Sequence, residues 1–174
     1  MKKLFALLAA AVMTLTASAQ NVEMKQFDCK LFSCLYPATM EAQEQWVDEC
    51  FNAESGEALK FSITLNEQAM SAPDMKEWGD GMKMMIERSF GEPTGWKASA
   101  PVIKGQTLTI RAEKEIEVYE ETSGEDKKVN VVKITYLTNT SDNKSFSGEL
   151  IFPQKEEAQY TAALTKIFNS AKVK

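Results

Sequence analysis

The chain has 174 residues, with 20 lysines and arginines, 25 aspartates and glutamates, and a formal net charge of −5 at pH 7. It contains no histidine, so it cannot build a Ser-His-Asp or Cys-His catalytic group, and it lacks the commonest protein ligand of zinc, copper and non-haem iron. An acidic chain without a basic cluster is also a poor candidate for binding nucleic acid or an anionic membrane.

The N-terminus has the pattern of a secretory signal peptide. Two lysines follow Met1, residues 4–12 form an unbroken apolar run, and Ala17-Ser18-Ala19 supplies the small residues that a signal peptidase accepts. The apolar run is too short to remain as a membrane anchor. The next residue is Gln20 and not cysteine, so there is no acceptor for a lipid. We therefore predict a signal peptide at residues 1–19, cleavage after Ala19, and a periplasmic or secreted bacterial protein.

The remaining chain, residues 20–174, is predicted to form one domain that begins with three strands. Residues 27–36 have the pattern of a first strand, which stops at Pro37. Residues 45–51 and 58–65 are predicted as two further strands, joined by a connection rich in turn-forming residues.

A helix is predicted to begin at Ser71 and to end near Gly91. Ser71 can accept hydrogen bonds from the amides of the first turn, and glycine often ends a helix in the left-handed conformation. Between them, apolar side chains recur at spacings of three and four and form one stripe that should pack on a sheet. The stripe contains Met75, Trp78, Met82, Met85, Ile86 and Phe90.

The second half of the domain predicts an edge strand, three long strands and a final helix. The edge strand falls within residues 96–104, because Pro101 excludes a central position in the sheet. A period of two then predicts an antiparallel meander of three strands at residues 107–120, 129–137 and 145–152. After Pro153, helical spacing predicts a helix whose apolar stripe is Tyr160, Leu164, Ile167 and Phe168.

This order of elements predicts an α+β fold. Antiparallel strands with a helix on each face form an α/β/α sandwich. We expect a central, mainly antiparallel sheet of six to seven strands and two main helices.

Several segments resemble the PsbP-like superfamily. They are Phe32-Ser-Cys-Leu-Tyr-Pro37, Phe61-Ser-Ile-Thr-Leu65, Val132-Lys-Ile-Thr-Tyr136, Phe146-Ser-Gly-Glu-Leu150 and Ile167-Phe-Asn-Ser170. That group includes the oxygen-evolving-complex subunit of photosynthetic membranes, bacterial envelope proteins of the DcrB type and a eukaryotic Ran-binding import factor. The resemblance implies the α/β/α sandwich and an accessory or binding role. No motif in this chain matches the manganese and calcium association of the photosystem protein.

The three cysteines, Cys29, Cys34 and Cys50, predict one disulfide and one leftover thiol in an exported chain. If the first two strands are neighbours, Cys34–Cys50 is within reach, and Cys29–Cys50 is the alternative. Cys29 and Cys34 have opposite parity along one straight strand and should face away from each other. A redox or metal-binding thiol pair is disfavoured, because no Cys-x-x-Cys motif is present.

Methionines concentrate in and just before the first predicted helix, and most of them lie on its apolar stripe, where core packing is favoured. The alternative is a surface that binds a partner or ligand, and its candidate residues are Met82, Met84, Met85 and Trp96. Thioethers also bind Cu(I), which is the least favoured interpretation.

Acidic residues form a band along the fifth predicted strand and the turn that follows it. They are Glu113, Glu115, Glu117, Glu120, Glu121, Glu125 and Asp126. Carboxylates that alternate on one strand face lie about 7 Å apart, which is too far for one calcium ion. A solvated strand face is favoured, and a surface for a cation or a basic partner is the alternative.

Taken together, the sequence predicts a non-enzymatic, exported binding or accessory domain. It predicts no cofactor, no membrane insertion after signal cleavage, and an unspecified protein or small-molecule partner in the cell envelope. One alternative is a carrier of a small apolar ligand, with its cavity between the methionine-rich helix and the sheet. The other is a hydrolase that uses a pair of carboxylates and no histidine.

Overall fold

A computed structural model describes residues 21–120 and 122–174 of the chain. The predicted signal peptide lies outside the described residues. In chain order, the first half forms β1 (Met24–Asp28), β2 (Phe32–Pro37), β3 (Glu41–Ala42), β4 (Cys50–Glu54), β5 (Lys60–Asn66), α1 (Ala72–Glu87), β6 (Arg88–Ser89) and β7 (Glu92–Pro93). The second half forms β8 (Lys97–Ala98), β9 (Val102–Lys104), β10 (Thr107–Glu120), β11 (Glu125–Asn139), β12 (Ser145–Pro153), α2 (Glu157–Ser170) and β13 (Lys172–Val173).

The main sheet has eight strands in the order β3-β4-β5-β12-β11-β10-β8, with β9 also paired to β10. All its pairs are antiparallel. A three-stranded sheet, β1-β2-β13, and the small β6–β7 hairpin complete the fold. The predicted α+β fold is confirmed. The sheet has more strands than predicted because the expected edge strand is divided into β8 and β9 and because β3 adds a short strand at the opposite edge.

The larger core lies on the face of the main sheet that packs against α2 and the three-stranded sheet; we call it the α2 face. The predicted stripe of α2 is confirmed, because Tyr160, Leu164 and Ile167 are buried and Phe168 is partly buried. Six aromatic side chains in this core expose at most 2% of their surface: Phe32, Phe51, Phe61, Tyr136, Phe146 and Phe152. Burial of this much aromatic surface is the main source of stability.

A glycine makes one close approach in this core possible. The Tyr136 hydroxyl donates a hydrogen bond to the Ser62 carbonyl (2.9 Å), although Tyr136 pairs directly with Gly148 on the strand between them. A Cβ atom added to Gly148 would lie 2.1 Å from the Ser62 oxygen and 2.9 Å from the Tyr136 hydroxyl. Full burial raises the pKa of Tyr136 well above its ordinary value, so the hydroxyl stays a donor.

The smaller core lies on the opposite, α1 face of the sheet. Met75 and Ile86 of α1 pack there with Leu108, Ile110, Ala112 and Leu137. The helix lies directly on β10 at Gly79, where an added Cβ would be 2.7 Å from Leu108 Cδ1 and 3.0 Å from Pro101 Cβ. Only a residue without a side chain allows this approach.

The start of α1 follows the prediction, but its end does not. Ser71 precedes the helix, and its hydroxyl accepts a hydrogen bond from Asp74 N (3.4 Å). The helix ends at Glu87, four residues before Gly91, because Thr94 caps the last turn. The Thr94 hydroxyl donates to Ile86 O (2.5 Å), and its amide donates to Glu87 O (3.0 Å).

Two predicted strands near the start of the domain are wrong. Residues 27–36 are a hairpin of β1 and β2 and not one strand, with a tight turn closed by a hydrogen bond from Cys29 N to Phe32 O (3.0 Å). The second predicted strand, at residues 45–51, is a loop over residues 45–49, and the strand observed there, β4, begins only at Cys50. The turn in the first hairpin contains no glycine, proline or asparagine, so it lacks the usual sequence signal.

The two longest strands extend beyond the sheet. β8 pairs with β10 no further than Glu113, and β12 pairs with β11 no further than Val131. Residues 114–120 and 125–130 therefore form a two-stranded projection, which we call the ribbon. The predicted strand at residues 129–137 belongs to a longer one, since β11 begins at Glu125.

Candidate protein-interaction surface

The structure divides the four predicted surface residues into two pairs. Met84 and Met85 are exposed, with 63% and 66% of their surface accessible. Met82 and Trp96 instead are partly buried and pack against the smaller core. The Lys133 ammonium lies 4.9 Å from the centre of the Trp96 ring, which gives this tryptophan a structural role in the fold.

An exposed residue that the sequence prediction missed lies close to Met84 and Met85 in the chain. Phe90 was predicted to extend the buried stripe of the helix, but it lies in the turn between β6 and β7 and is fully exposed. The signal for this turn was present, because Gly91 follows directly and Pro93 is two residues further on. We call Met84, Met85 and Phe90 the helix-end patch.

The backbone of Phe90 is in the left-handed region, with φ of 50°. Among the described residues other than glycine, Asn143 alone shares a positive φ, and asparagine tolerates that region far better than phenylalanine. Phe90 therefore combines an unfavourable backbone conformation with an exposed aromatic ring, and neither stabilises the folded chain. Such a combination is expected where a residue serves binding.

Two charged side chains near the end of α1, Lys83 and Glu87, form an ion pair. Lys83 donates to Glu87 (3.0 Å) one turn along α1, and this hydrogen bond is the main cause that lowers the pKa of Glu87. The same carboxylate accepts a hydrogen bond from Ala98 N (3.3 Å). Arg88, directly after the helix, is exposed and lies between the methionines and Phe90 in the chain, so one basic side chain accompanies the apolar ones at this end of α1.

The cysteines do not have the predicted arrangement. All three are free thiols in the structure. Cys34 belongs to the larger core, whereas the Cys50 sulfur lies 3.3 Å from Thr64 Oγ1, on the opposite face of the sheet. The sheet therefore separates Cys34 from Cys50, and neither the predicted Cys34–Cys50 bond nor the alternative Cys29–Cys50 bond is present.

Cys29 and Cys34 also depart from the prediction that they face away from each other. The β1–β2 hairpin places both side chains on one face, because Phe27 pairs with Cys34 and Cys29 is two residues from Phe27. Burial, and secondarily the nearby Cys29, raise the pKa of the Cys34 thiol to about 12. Such a thiol stays protonated and is a poor nucleophile.

Carboxylates do come together at one place on the α2 face, around Arg111. The guanidinium binds both oxygens of Glu157 (2.6 and 2.9 Å) and one oxygen of Glu113 (3.1 Å). The hydrogen bonds from Arg111 are the main cause that lowers the pKa of Glu157. A general acid in glycoside hydrolysis needs a raised pKa, so Glu157 is unsuited to acid catalysis. The ion pair instead links α2 to β10.

The space between α1 and the sheet does not have the shape of a ligand carrier. At Gly79 the helix and sheet are in direct contact, as described above. The groove beside the start of α1, about 590 Å³ in volume, is open and is lined largely by polar and acidic residues of the segment that follows β5 and of the first helical turns. This geometry gives no support to a closed apolar cavity.

Within the described ranges, no three Cys, Asp or Glu side chains are grouped so that they would hold a metal ion. In the same part of the chain, no helix has the length and apolar character required to cross a bilayer.

Comparison with solved structures identifies related folds. The crystal structure of the Ran-binding protein Mog1p of Saccharomyces cerevisiae superposes with a TM-score of 0.50 and 14% identity, over 88% of this chain and 96% of that chain. The solution structure of cyanobacterial PsbP (CyanoP) from Synechocystis sp. PCC 6803 has a TM-score of 0.50 and 11% identity, over 88% and 94%. The chain has a PsbP/Mog1-like fold. No protein-family model matches the chain, and no curated protein matches it in sequence.

The fold implied by the sequence resemblance is thus supported, and it spans almost the whole length of both relatives. At these identities the similarity establishes the fold alone.

Proposed function

We propose that this chain is an exported, non-enzymatic binding or accessory domain that binds a protein of the bacterial cell envelope, as DcrB-type members of the PsbP-like superfamily would. The binding surface is the helix-end patch of Met84, Met85 and Phe90. Export rests on the signal-peptide pattern of residues 1–19, and sequencing the N-terminus of the exported protein tests it: we expect Gln20, and a mature protein that starts at Met1 would contradict export.

The observation that carries the proposal is the exposed Phe90 ring on a left-handed backbone. Phenylalanine is costly at such a φ and contributes no burial there, whereas an aromatic ring is among the best anchors for a protein partner. The two neighbouring methionines add flexible apolar contacts, which adapt well to a partner's surface. Mog1p, described as Ran-binding, has the same fold, so a domain of this kind can present a protein-binding surface.

A retention experiment tests the patch. The mature domain, residues 20–174, is immobilised and exposed to an extract of the cell envelope. We expect one protein to be retained by the wild type and by Lys166→Ser, a control at an exposed position of α2, and to be lost with Met84→Ser/Met85→Ser/Phe90→Asn.

The retained protein is then purified and titrated against the same three forms. We expect the triple variant to weaken binding by at least about tenfold, since removal of an aromatic anchor typically costs more than 1.4 kcal/mol. Equal affinity of the triple variant and the wild type would overturn the assignment of the patch.

A further inference from the structure

The ribbon exposes one strand edge that continues the main sheet. Ser99 N donates to Arg111 O (2.8 Å), so Arg111 directs its backbone groups to the outer side of β10. Backbone groups alternate between the two sides of an antiparallel strand, and Glu115, Glu117 and Tyr119 therefore also direct theirs outward. β8 ends before the ribbon begins, and no other strand in the described ranges pairs with this part of β10.

The two faces of this edge differ in chemistry. Glu115 and Glu117 point to the α2 face, and both are exposed. On the opposite face Ile116 and Val118 lie beside Val129 of β11. These three aliphatic side chains are only partly buried and belong to neither core, so the ribbon keeps apolar surface that the domain itself does not cover.

The other edge of the ribbon, along β11, carries lysines beside the end of β12. It begins where β12 ends at Pro153, which is followed by a 3₁₀ turn that contacts β11. The groove at this point is about 430 Å³ and is lined in part by Lys127, Lys128 and Lys155. The lysines of this groove repel a basic segment. On the β10 side, Glu115 accepts a hydrogen bond from Lys128 (2.8 Å), but Glu115 and Glu117 outnumber that lysine on their face, so this edge keeps negative charge that attracts a basic segment.

We propose that the β10 edge of the ribbon accepts an extended, basic segment of a partner protein as an added β-strand. The outward N–H and C=O groups of Glu115 and Glu117 would form the ladder. Successive side chains of the added strand alternate between faces, so lysine or arginine would pair with these glutamates while aliphatic residues cover Ile116 and Val118. A segment that alternates basic and aliphatic residues fits both faces.

The acidic row selects against a second copy of the chain. Antiparallel pairing of two β10 edges would place Glu115 and Glu117 of one copy opposite the same glutamates of the other, and like charges directly across a pair are destabilising. Charged residues on an exposed edge protect against such self-pairing. The edge is separate from the helix-end patch, so the inference goes beyond the proposed function and does not depend on it.

Synthetic peptides test the inference with the mature domain. One peptide alternates lysine and valine, a second alternates glutamate and valine, and a third has the composition of the first with its lysines and valines in two blocks. We expect only the alternating lysine peptide to bind, and we expect it to slow hydrogen exchange of the amides of residues 115, 117 and 119. Exchange at the inward amides of residues 116 and 118 should change little, because they already pair with β11.

Three variants separate charge from backbone pairing. Glu115→Lys/Glu117→Lys should weaken the affinity for the alternating lysine peptide by at least about tenfold and should bind the alternating glutamate peptide. Glu117→Pro removes one outward N–H at an edge position where proline is tolerated. It should bind the alternating lysine peptide more weakly than Glu117→Gln, which removes the same charge and keeps the N–H, while its urea midpoint stays near that of the wild type.

If Glu117→Pro fails to fold, the charge-reversal variant still tests whether the edge selects a basic peptide. Equal binding of the block peptide, or peptide binding without protection of the amides at residues 115, 117 and 119, would overturn the proposal. If none of the three peptides binds, the proposal is overturned as well.

Discussion

The two faces of the main sheet use apolar residues differently. On the α2 face, aromatic and aliphatic side chains are enclosed by a helix and a second sheet, and most of them are buried. On the α1 face, one helix covers a smaller core, Met84, Met85 and Phe90 remain exposed at its end, and the aliphatic side chains of the ribbon on this face are only partly buried. Because buried apolar surface stabilises the folded chain, the α2 face contributes most to stability. The less covered α1 side is where we expect a partner protein to bind.

The largest expected effect breaks the α2 face. Gly148→Ala places a Cβ within 2.1 Å of a backbone oxygen of the neighbouring strand, and a backbone atom cannot move away cheaply. We expect the free energy of unfolding in urea to fall by about 3 kcal/mol or more. A loss below about 1 kcal/mol would mean that β5 and β12 are not packed as described.

A matched pair of glycines in α1 tests the other face. Gly79→Ala puts a Cβ against Leu108 and Pro101, whereas Gly81→Ala meets no atom within 4 Å. We expect Gly79→Ala to destabilise the domain by roughly 1–2 kcal/mol and Gly81→Ala to stabilise it by roughly 0.5–1 kcal/mol. Equal effects in urea unfolding would contradict the direct packing of α1 on β10.

A smaller, pH-dependent effect is expected where α2 is joined to β10. Arg111 lowers the pKa of Glu157 from its ordinary value of 4.5, so the ionised carboxylate stabilises the fold above that pH, and the contribution is lost as the pH falls through the lowered pKa. Glu157→Gln should therefore be less stable than the wild type at pH 7 by less than about 1 kcal/mol, because the pair is partly exposed. Urea unfolding at pH 7 and near pH 3 should show the difference shrinking toward acid; a constant difference would argue against the ion pair.

The smallest change in stability is expected at the helix-end patch, where a substitution should stabilise the domain slightly and not destabilise it. Phe90→Asn places a residue that suits a positive φ at a position of 50°, so we expect a gain of up to about 1 kcal/mol or no change. Thermal unfolding of this variant against Met85→Ser, which should be neutral, measures it. A clear loss of stability with Phe90→Asn would mean that the ring packs on the domain.

The sequence predicted most of the regular structure because long strands and stripes average over many residues. The prediction of β10 at residues 107–120 agrees with the structure, and the cap at Ser71 is confirmed. The hairpin at Cys29 was missed because its turn lacks the usual residues. The end of α1 was misplaced because Phe90 continues the helical spacing from Ile86, while the interaction that ends the helix comes from Thr94, a contact that no local pattern contains.

The candidate site was predicted only in part. Helical spacing assigns Met85 to the buried stripe, but the helix lies toward the β10 edge of the sheet, so Met85 has no neighbour to cover it. Trp96 was grouped with the methionines by proximity in the chain, whereas its contacts to the smaller core and Lys133 arise from tertiary packing. The prediction that Cys29 and Cys34 face away from each other failed for the same kind of reason, because the unrecognised turn places both thiols on one face.

Photo-cross-linking from both sides of the sheet shows directly which side a partner binds. A photoreactive amino acid is placed at Phe90 in one form of the exported chain and at Lys166 on the exposed side of α2 in another, and cross-linked products are identified by mass spectrometry. We expect a discrete cross-linked protein from position 90 and none from position 166. The same product from both positions, or a product from position 166 alone, would contradict the assignment of recognition to the α1 side.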